Sequence, residues 1–519
     1  MTFLPVPSRN KLLVAPEVFK SISHRLFTKK SLIKHKDQQW VVLPFDDVTN
    51  TLLVRHNLKP PAPIEHLYTW PGRYTPFKHQ VETAKFLSTY DRAFCFNDMG
   101  SGKTLSALWA ADYLMSRGVH KSVLIISPLS TLERVWGDAL FESFHHRKFE
   151  VVHGSKSKRL AALGRKADFY IINHDGLKVN DVKKVLSDRK DITLVIVDEL
   201  AVFRNQKSLR YKALWDIAGP DSGRSIWGLT GAPMPTGPTD IWAQARLVNP
   251  TLVPKYFNRF RNEMMVQVTQ FKWVPKRGWE DKCYSMLKPS IRYSTEECLD
   301  LPPISYITHE VGMSKAQGKV YDTVFKTCVA EAAEGQIVAL NEGAKLMKLL
   351  QIATGAVYTS DKDVVDLAPT PKLTQLTELI YETNKKCIVF TPFIHSIDML
   401  YKYLKKSFSV SKIHGGTSAK KRNEIFTEFQ QGELEVLLAH PQCMAHGVTL
   451  TAACNIVWFA PIDNYEIYEQ ANARVRRAGQ TQHQNILHLQ CSKIEQRVYE
   501  RLKSKEKTQG VLLELLKKK

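Results

Sequence analysis

The run Ala93-Phe-Cys-Phe-Asn-Asp-Met-Gly-Ser-Gly-Lys-Thr-Leu-Ser-Ala-Leu-Trp-Ala-Ala111 decides how the rest of the chain is read. It opens on a short apolar strand, closes on a stretch with helical periodicity, and between them holds Asn97-Asp-Met-Gly-Ser-Gly-Lys-Thr104. Glycines at such a junction let backbone N–H groups close on a phosphate chain, and the following helix N-terminus favours negative charge. Gly100, Ser101 and Gly102 therefore form a phosphate cradle, Lys103 is placed for the β- and γ-phosphates, and the Thr104 hydroxyl is a ligand for Mg²⁺. A glycine usually opens this pattern, and here Asn97 stands in its place.

A phosphate loop needs partners that hold the metal and activate water. About 95 residues downstream, Leu194-Val-Ile-Val-Asp198-Glu199 ends an apolar strand in two carboxylates. Asp198 is the candidate to hold Mg²⁺ through water, and Glu199 to position and deprotonate the attacking water.

Further outward, apolar strand-sized runs alternate with helical periodicity twice, over residues 74 to 250 and 372 to 495. That pattern predicts two α/β units, each a parallel sheet covered by helices. Strands are expected at Ala93–Phe96, Val123–Ile126, Tyr170–Ile172, Leu194–Val197 and Ser225–Gly228, and then at Ile388–Phe390, Val436–Leu438, Ile456–Phe459 and Ile486–Leu489. The 519 residues, 44% hydrophobic and 24% charged, suffice for more than one core.

Lysine and arginine number 73 against 51 acidic residues, a formal charge of +22, which favours a polyanionic partner. Residues 255 to 292 concentrate this: nine basic residues interleave with aromatics including Tyr256, Phe257, Phe271, Trp273 and Trp279. Such an insertion suits phosphates and exposed bases. The eight cysteines form no C-x-x-C pair and read as thiols of a reducing compartment. No apolar run approaches the roughly 20 residues of a membrane span, and the N-terminus lacks a signal-peptide pattern. A cytoplasmic location, in a bacterium or a virus-infected host cell, or the nucleus if the source is eukaryotic, is expected, with no membrane partner.

In the second unit, the run from Asn464 to Gln480 predicts a helix capped by Asp463 or Asn464 and ended by Gly479. On it Gln470, Arg474 and Arg477 fall at i, i+4 and i+7, on one face.

Taken together, these residues resemble the superfamily-two motors and, within them, the Swi/Snf-like DNA translocases, over roughly residues 74 to 505. Thr75-Pro-Phe-Lys-His-Gln80 is similar to the segment whose glutamine reads adenine. Leu124 to Thr131, with Trp136 beyond, resembles the first DNA-gripping loop, where Ser127, Ser130 and Thr131 offer donors to phosphate oxygens. Leu229-Thr-Gly-Ala-Pro233 resembles the coupling motif, with Thr230 and Gly231 sensing nucleotide state. Leu299-Asp-Leu-Pro-Pro303 and Gln317 with Tyr321 lie where Swi/Snf-like proteins carry an inter-lobe signature. Ile413-His-Gly-Gly-Thr417 resembles a second phosphate contact through Gly415, Gly416 and Thr417. Gly447 to Ala453 resembles the loop linking DNA grip, through Thr449, to the ATP site, with Gly447 as a coupling residue. The resemblance makes Gln470, Arg474 and Arg477 catalytic, the two guanidiniums acting as arginine fingers on a nucleotide bound by the other lobe, on the order of 10³-fold or more in such enzymes.

It also implies two RecA-like lobes with a helical inter-lobe insertion. The expected domains are an accessory module at 1–70, possibilities for β-structure included, an ATP-binding lobe at 71–254, an insertion at 255–371, a helicase C-terminal lobe at 372–500 and a basic tail at 501–519. The implied activity is that of an ATP- and Mg²⁺-dependent DNA-dependent ATPase, monomeric, moving on or remodelling duplex or branched DNA. The compact insertion looks most like the phage- or bacterial-type annealing branch, which points to DNA replication and repair, with single-stranded DNA or replication proteins as further partners. Two departures bear on coupling: Asp198-Glu-Leu-Ala201 lacks a histidine common in relatives, and Met444-Ala445 replaces a glycine pair. An RNA helicase and a non-cycling nucleotide-binding clamp remain the alternatives.

Overall fold

The computed structural model describes residues 2–20, 31–35, 38–270, 273–298, 301–333, 339–358, 364–383, 385–444 and 449–517. The chain forms two compact units: Met1–Met234 with Pro238–Cys298 and Leu512–Lys519, and Pro235–Gly237 with Leu299–Val511.

The first unit is built on a seven-stranded, all-parallel sheet in the order Ser290–Ile291, Arg92–Cys95, Ser225–Leu229, Ile192–Asp198, Ser122–Ser127, Phe169–Asn173, Phe149–Val152. Central strands such as Ser122–Ser127 are buried along their whole length, as parallel strands covered on both faces must be. Two apolar cores lie on its two sides, one around Leu124, Tyr170 and Val195, the other around Trp109, Ile125 and Trp227. The helix Lys103–Ser116 is buried from Ser106 to Met115, which explains why it reads as apolar almost all round.

Ahead of this sheet, Phe3–Val6, Lys11–Val14, Gln38–Pro44 and Ser31–His35 form a four-stranded antiparallel sheet. The helix Asp47–Arg55 follows it, its N-cap Asp46 accepting from the Thr49 amide at 2.8 Å. Within the first unit this module is tied to the parallel-sheet part by Tyr113, which donates to Asp47, while Tyr68 donates to buried Asp112 at 2.6 Å.

The second unit carries a six-stranded parallel sheet: Ile304–Glu310, Gln484–Gln490, Asn455–Trp458, Cys387–Phe390, Val436–Ala439, Val410–Ile413. Inside it, Lys372 and Glu495 form an ion pair at 2.6 Å with both side chains buried. Gln317 donates to the Ile352 carbonyl at 2.9 Å, fastening the helix Lys315–Ala333 to the helix Ala339–Ala353.

Three expectations are corrected. The insertion taken as one domain at 255–371 is divided at Cys298/Leu299, because its first part completes the first unit's core through Phe260, Trp279 and Cys283. The basic tail at 501–519 is the continuation of a long helix, Lys493–Lys517, whose inward residues Val498, Tyr499 and Leu502 are buried. The helix expected to reach Gly479 stops at Asn472. Strands Phe149–Val152, Ser290–Ile291, Ile304–Glu310 and Val410–Ile413 escaped the sequence reading; each lies at or near a sheet edge, where partial exposure admits polar residues and blurs the apolar signal.

Candidate functional site

The phosphate-loop geometry follows from three residues. Gly100 and Gly102 adopt φ of +82° and +77°, the left-handed region open to glycine. A Cβ at Gly102 would fall on the Gln80 amide, so that position requires glycine on space as well. Gln80 is itself buried, its Oε1 accepting from the Phe77 amide at 2.9 Å. The Ser101 hydroxyl is buried without a hydrogen-bond partner, and Lys103 Nζ rests on the Asn97 and Asp98 carbonyls at 2.8 and 3.0 Å. An unpaired donor and an ammonium held only by neutral carbonyls, beside the free N-terminus of a long helix, fit a phosphate chain.

Asn97, in the place usually held by glycine, acts as a tie. Its amide nitrogen donates to Thr83 Oγ1 at 2.8 Å and its Oδ1 accepts from the Tyr293 amide at 2.9 Å. Next to it, Asp98 accepts from Arg292 Nη1 at 2.5 Å and from the Thr295 amide at 2.8 Å, while the same Nη1 donates to the Phe96 carbonyl at 2.6 Å. Segment 290–295 thus clamps the loop from about 195 positions away in the chain. The sequence offered no signal for this clamp, because it depends on Ser290–Ile291 pairing with Arg92–Cys95.

The carboxylates lie one strand removed: Ser225–Leu229 separates Arg92–Cys95 from Ile192–Asp198. Burial pushes the Asp198 carboxyl above its ordinary range, opposed by a hydrogen bond from Trp136 Nε1 at 3.0 Å and by the charge of Lys103. Glu199 is a non-glycine residue at φ +54°, a strained conformation that recurs at functional sites. Its Oε2 accepts from Thr230 Oγ1 at 3.3 Å, which links the carboxylate pair to the strand end beside Gly231. Gly231 packs against the Asn97–Met99 backbone. His174 sits 2.8 Å from the Asp198 carbonyl and edge-on to Phe203, so an imidazole contacts this loop although Ala201 occupies the expected histidine position. Trp136 and His174 were missed as site residues because their contacts join different strands' C-terminal loops.

The DNA-facing candidates divide. Ser130 is exposed, whereas Ser127 and Thr131 are buried and donate to the Pro128 carbonyl, at 3.4 and 3.0 Å. A proline carbonyl inside the turn takes the Thr131 hydroxyl and, at longer range, that of Ser127, which leaves backbone amides as the donors these positions offer. Gly415 and Gly416 are exposed, and Thr417 Oγ1 accepts from the His414 amide at 3.1 Å, capping that turn. Thr449 is exposed; Gly447 and Ala445 lie outside the described residues, as do Leu299, Asp300 and Phe271.

In the second unit, Asn464 caps the helix Tyr465–Asn472 through the Ile467 amide. Gln470 lies on the buried side of that helix, while Arg474 and Arg477 follow on a turn rather than on the helical face expected, and there the Arg474 carbonyl accepts from the Leu450 amide. Arg474 is buried, its Nε donating to the Gln470 carbonyl at 2.9 Å. Arg477 Nη1 donates to Thr449 Oγ1 at 3.0 Å, its Nε is buried without a partner, and burial lowers its pKa to about 10, leaving it cationic at neutral pH. A cation with that much unmet donor capacity fits an anionic ligand.

Two parallel-sheet units, one with a phosphate loop flanked by a paired Asp-Glu, define a nucleotide-driven helicase of superfamily two. The family described as "SNF2-related domain" matches residues 79–357, and "Helicase conserved C-terminal domain" matches residues 371–479. The chain belongs to the SNF2-related family, the Swi/Snf-like helicases and translocases. It is similar to protein p41 of Acyrthosiphon pisum secondary endosymbiont phage 1, 28% identical over 86% of this chain and 99% of that one. It is also similar to the "ATP-dependent DNA helicase DDM1" of Arabidopsis thaliana, 23% identical over 80% of this chain and 58% of the relative. A third relative, the Xenopus laevis SWI/SNF-related matrix-associated actin-dependent regulator of chromatin subfamily A-like protein 1, is 25% identical over 80% of this chain and 42% of its own length. The chain thus spans about half the length of these two helicase-type relatives. A solved Sulfolobus solfataricus SWI2/SNF2 ATPase core in complex with dsDNA is 18% identical, with a TM-score of 0.42 over 86% of this chain and 95% of that one. Among the described residues no helix is long and apolar enough to cross a membrane.

Proposed function

We propose that this protein is a DNA-dependent ATPase that uses ATP and Mg²⁺ to translocate on double-stranded DNA. The observation that carries the reading is the assembly, within the first unit, of Lys103, Asp198, Glu199 and Thr230 at the C-terminal ends of three neighbouring strands, where α/β sheets place ligands.

In this reading the loop amides, Ser101 and Lys103 bind the phosphates, Thr104 and Asp198 hold Mg²⁺, and Gln80 reads the adenine edge. Mg²⁺ neutralises charge on the phosphates. Glu199 orients and deprotonates water, with Thr230 reporting the state of that carboxylate to the Gly231 turn. Arg474 and Arg477, steadied by Gln470, supply the guanidiniums that neutralise the transition state. Thr449, which already shares a hydrogen bond with Arg477, joins a DNA contact to that arginine, with Ser130, Gly415, Gly416 and Thr417 as further phosphate contacts and Gly447 coupling them.

Lys103→Ala and Glu199→Gln each abolish DNA-stimulated phosphate release from the purified chain; unchanged turnover in either defeats the assignment. The same assay run with duplex, forked and RNA substrates tests a role on branched DNA in replication or repair. Greater stimulation by RNA than by DNA identifies an RNA helicase, and no release above background identifies a nucleotide-binding clamp.

A further inference from the structure

The first unit holds a cavity of about 600 Å³ apart from the residues of the nucleotide site, inside the range of roughly 300 to 1,000 Å³ typical of small-ligand pockets. One wall is the loop Arg204–Lys207 that leaves the short turn after the Asp-Glu pair; the other is the start of the helix Phe257–Met264 with Lys255 and Tyr256 before it. Charge and ring chemistry meet there. Arg204, Lys207, Lys255 and Arg261 line it against a single carboxylate, Asp240, which faces Arg204 at 4.0 Å. Among the described residues Lys207, Lys255 and Arg261 have no ion pair, and the Arg261 Nε is buried without a hydrogen-bond partner. The Arg261 guanidinium lies over the Trp273 ring, 4.2 Å from its centre, and 6.0 Å from that of Phe257, so it rests on a π-surface. Tyr256 is 67% exposed at the rim.

We propose that this cavity binds one nucleotide of an unpaired DNA strand, its phosphate between Lys207, Lys255 and Arg261 and its base on Tyr256. The buried Arg261 Nε has donor capacity that an anion would meet, and Lys207 and Lys255 beside it add positive charge. The exposed ring adds a π-face, which an unpaired base can stack on and a base already stacked inside a duplex cannot. The volume, about 600 Å³, is on the scale of a single nucleotide. A free metal-chelated triphosphate is served by the loop at Lys103 instead, where glycine amides and a carboxylate pair stand together. The inference rests on the DNA-translocase reading for its biological setting, but the binding is a property of the first unit's own residues.

The test uses the full chain and a fluorescein-labelled oligo(dT), with affinity read by anisotropy over a salt series, beside duplex-stimulated ATPase. Tyr256→Ala weakens oligo(dT) binding about tenfold through lost stacking. Lys207→Gln and Lys255→Gln, both on exposed side chains, each weaken oligo(dT) binding and flatten the log-affinity against log-salt slope, by no more than about 0.7 for the one phosphate they share. Duplex-stimulated ATPase stays at the wild-type level in all three. Oligo(dT) affinity and slope unchanged in all three variants overturn the proposal, and so does parallel loss of duplex stimulation, which would make the cavity part of the duplex path. Absence of any duplex stimulation in the unaltered chain counts against the translocase reading alone, since the anisotropy measurement still judges the cavity.

Discussion

Replacing Arg292 by alanine isolates the clamp on the phosphate loop without touching a group proposed to meet nucleotide. The guanidinium is 5% exposed and the Asp98 carboxylate 26% exposed. Breaking a buried pair by removing one partner costs about 3–5 kcal/mol. Because solvent reaches part of Asp98 and the Thr295 amide still donates to it, about 2–3 kcal/mol is the better figure here. If that penalty falls on loop order, the binding-competent fraction falls with it and apparent ATP affinity weakens by up to about 30- to 150-fold. A fluorescent ATP analogue titrated against wild type, Arg292→Ala and Arg292→Lys measures this, with thermal melting alongside to catch a penalty expressed as global destabilisation. Arg292→Lys, which keeps the charge but loses the planar fork, falls between. Wild-type nucleotide affinity together with wild-type melting in Arg292→Ala would refute the claim that this contact orders the loop.

Trp136→Phe removes the indole donor that lowers the Asp198 carboxyl, so that carboxyl titrates higher still and the acidic limb of the ATPase pH profile moves to higher pH; an unmoved limb removes Trp136 from the metal-holding group. His488 is buried against Tyr468 with its pKa lowered to about 3. A histidine depressed in the fold contributes stability that is complete above the unfolded value near 6.5 and is lost as pH falls toward the folded one, so about 2 kcal/mol disappears between pH 6.5 and 5. Denaturant unfolding of wild type and His488→Gln at pH 7.5 and 5 checks this, the variant showing the smaller acid loss. Glu495→Ala, which strands the buried Lys372 ammonium, destabilises the second unit by about 3–5 kcal/mol, whereas Lys372→Met combined with Glu495→Leu recovers most of that loss in the same unfolding assay.

The parts legible in the sequence were those with a local cause. The phosphate loop and the Asp-Glu strand end are short patterns whose chemistry lies within a few residues, and fully buried strands such as Ser122–Ser127 announce themselves as unbroken apolar runs. What the sequence did not disclose depends on long-range pairing. Arg292 looks like any basic residue of the insertion until Ser290–Ile291 joins the sheet beside the loop. Trp136 looked like part of a DNA grip until its indole was placed on Asp198. The turn carrying Arg474 and Arg477 kept helical spacing in sequence, but the helix ends at Asn472 and the Arg474 carbonyl turns to a distant partner, the Leu450 amide. Likewise Ser127 and Thr131 have the composition of phosphate donors, and a local carbonyl satisfies them instead.

The Arg292–Thr295 contacts to Asp98 lie only a few residues before the end of this part of the first unit. The polypeptide leaves the first unit immediately afterward, at Cys298. Mechanical load travelling along that connection therefore reaches the proposed phosphate loop through a few residues and the hydrogen bonds that Arg292 and Thr295 make to Asp98. By thermodynamic reciprocity, whatever free energy ATP occupancy adds to the posture of this strap, an opposing force on the strap subtracts from ATP occupancy. A stalled motor of this design would loosen its fuel.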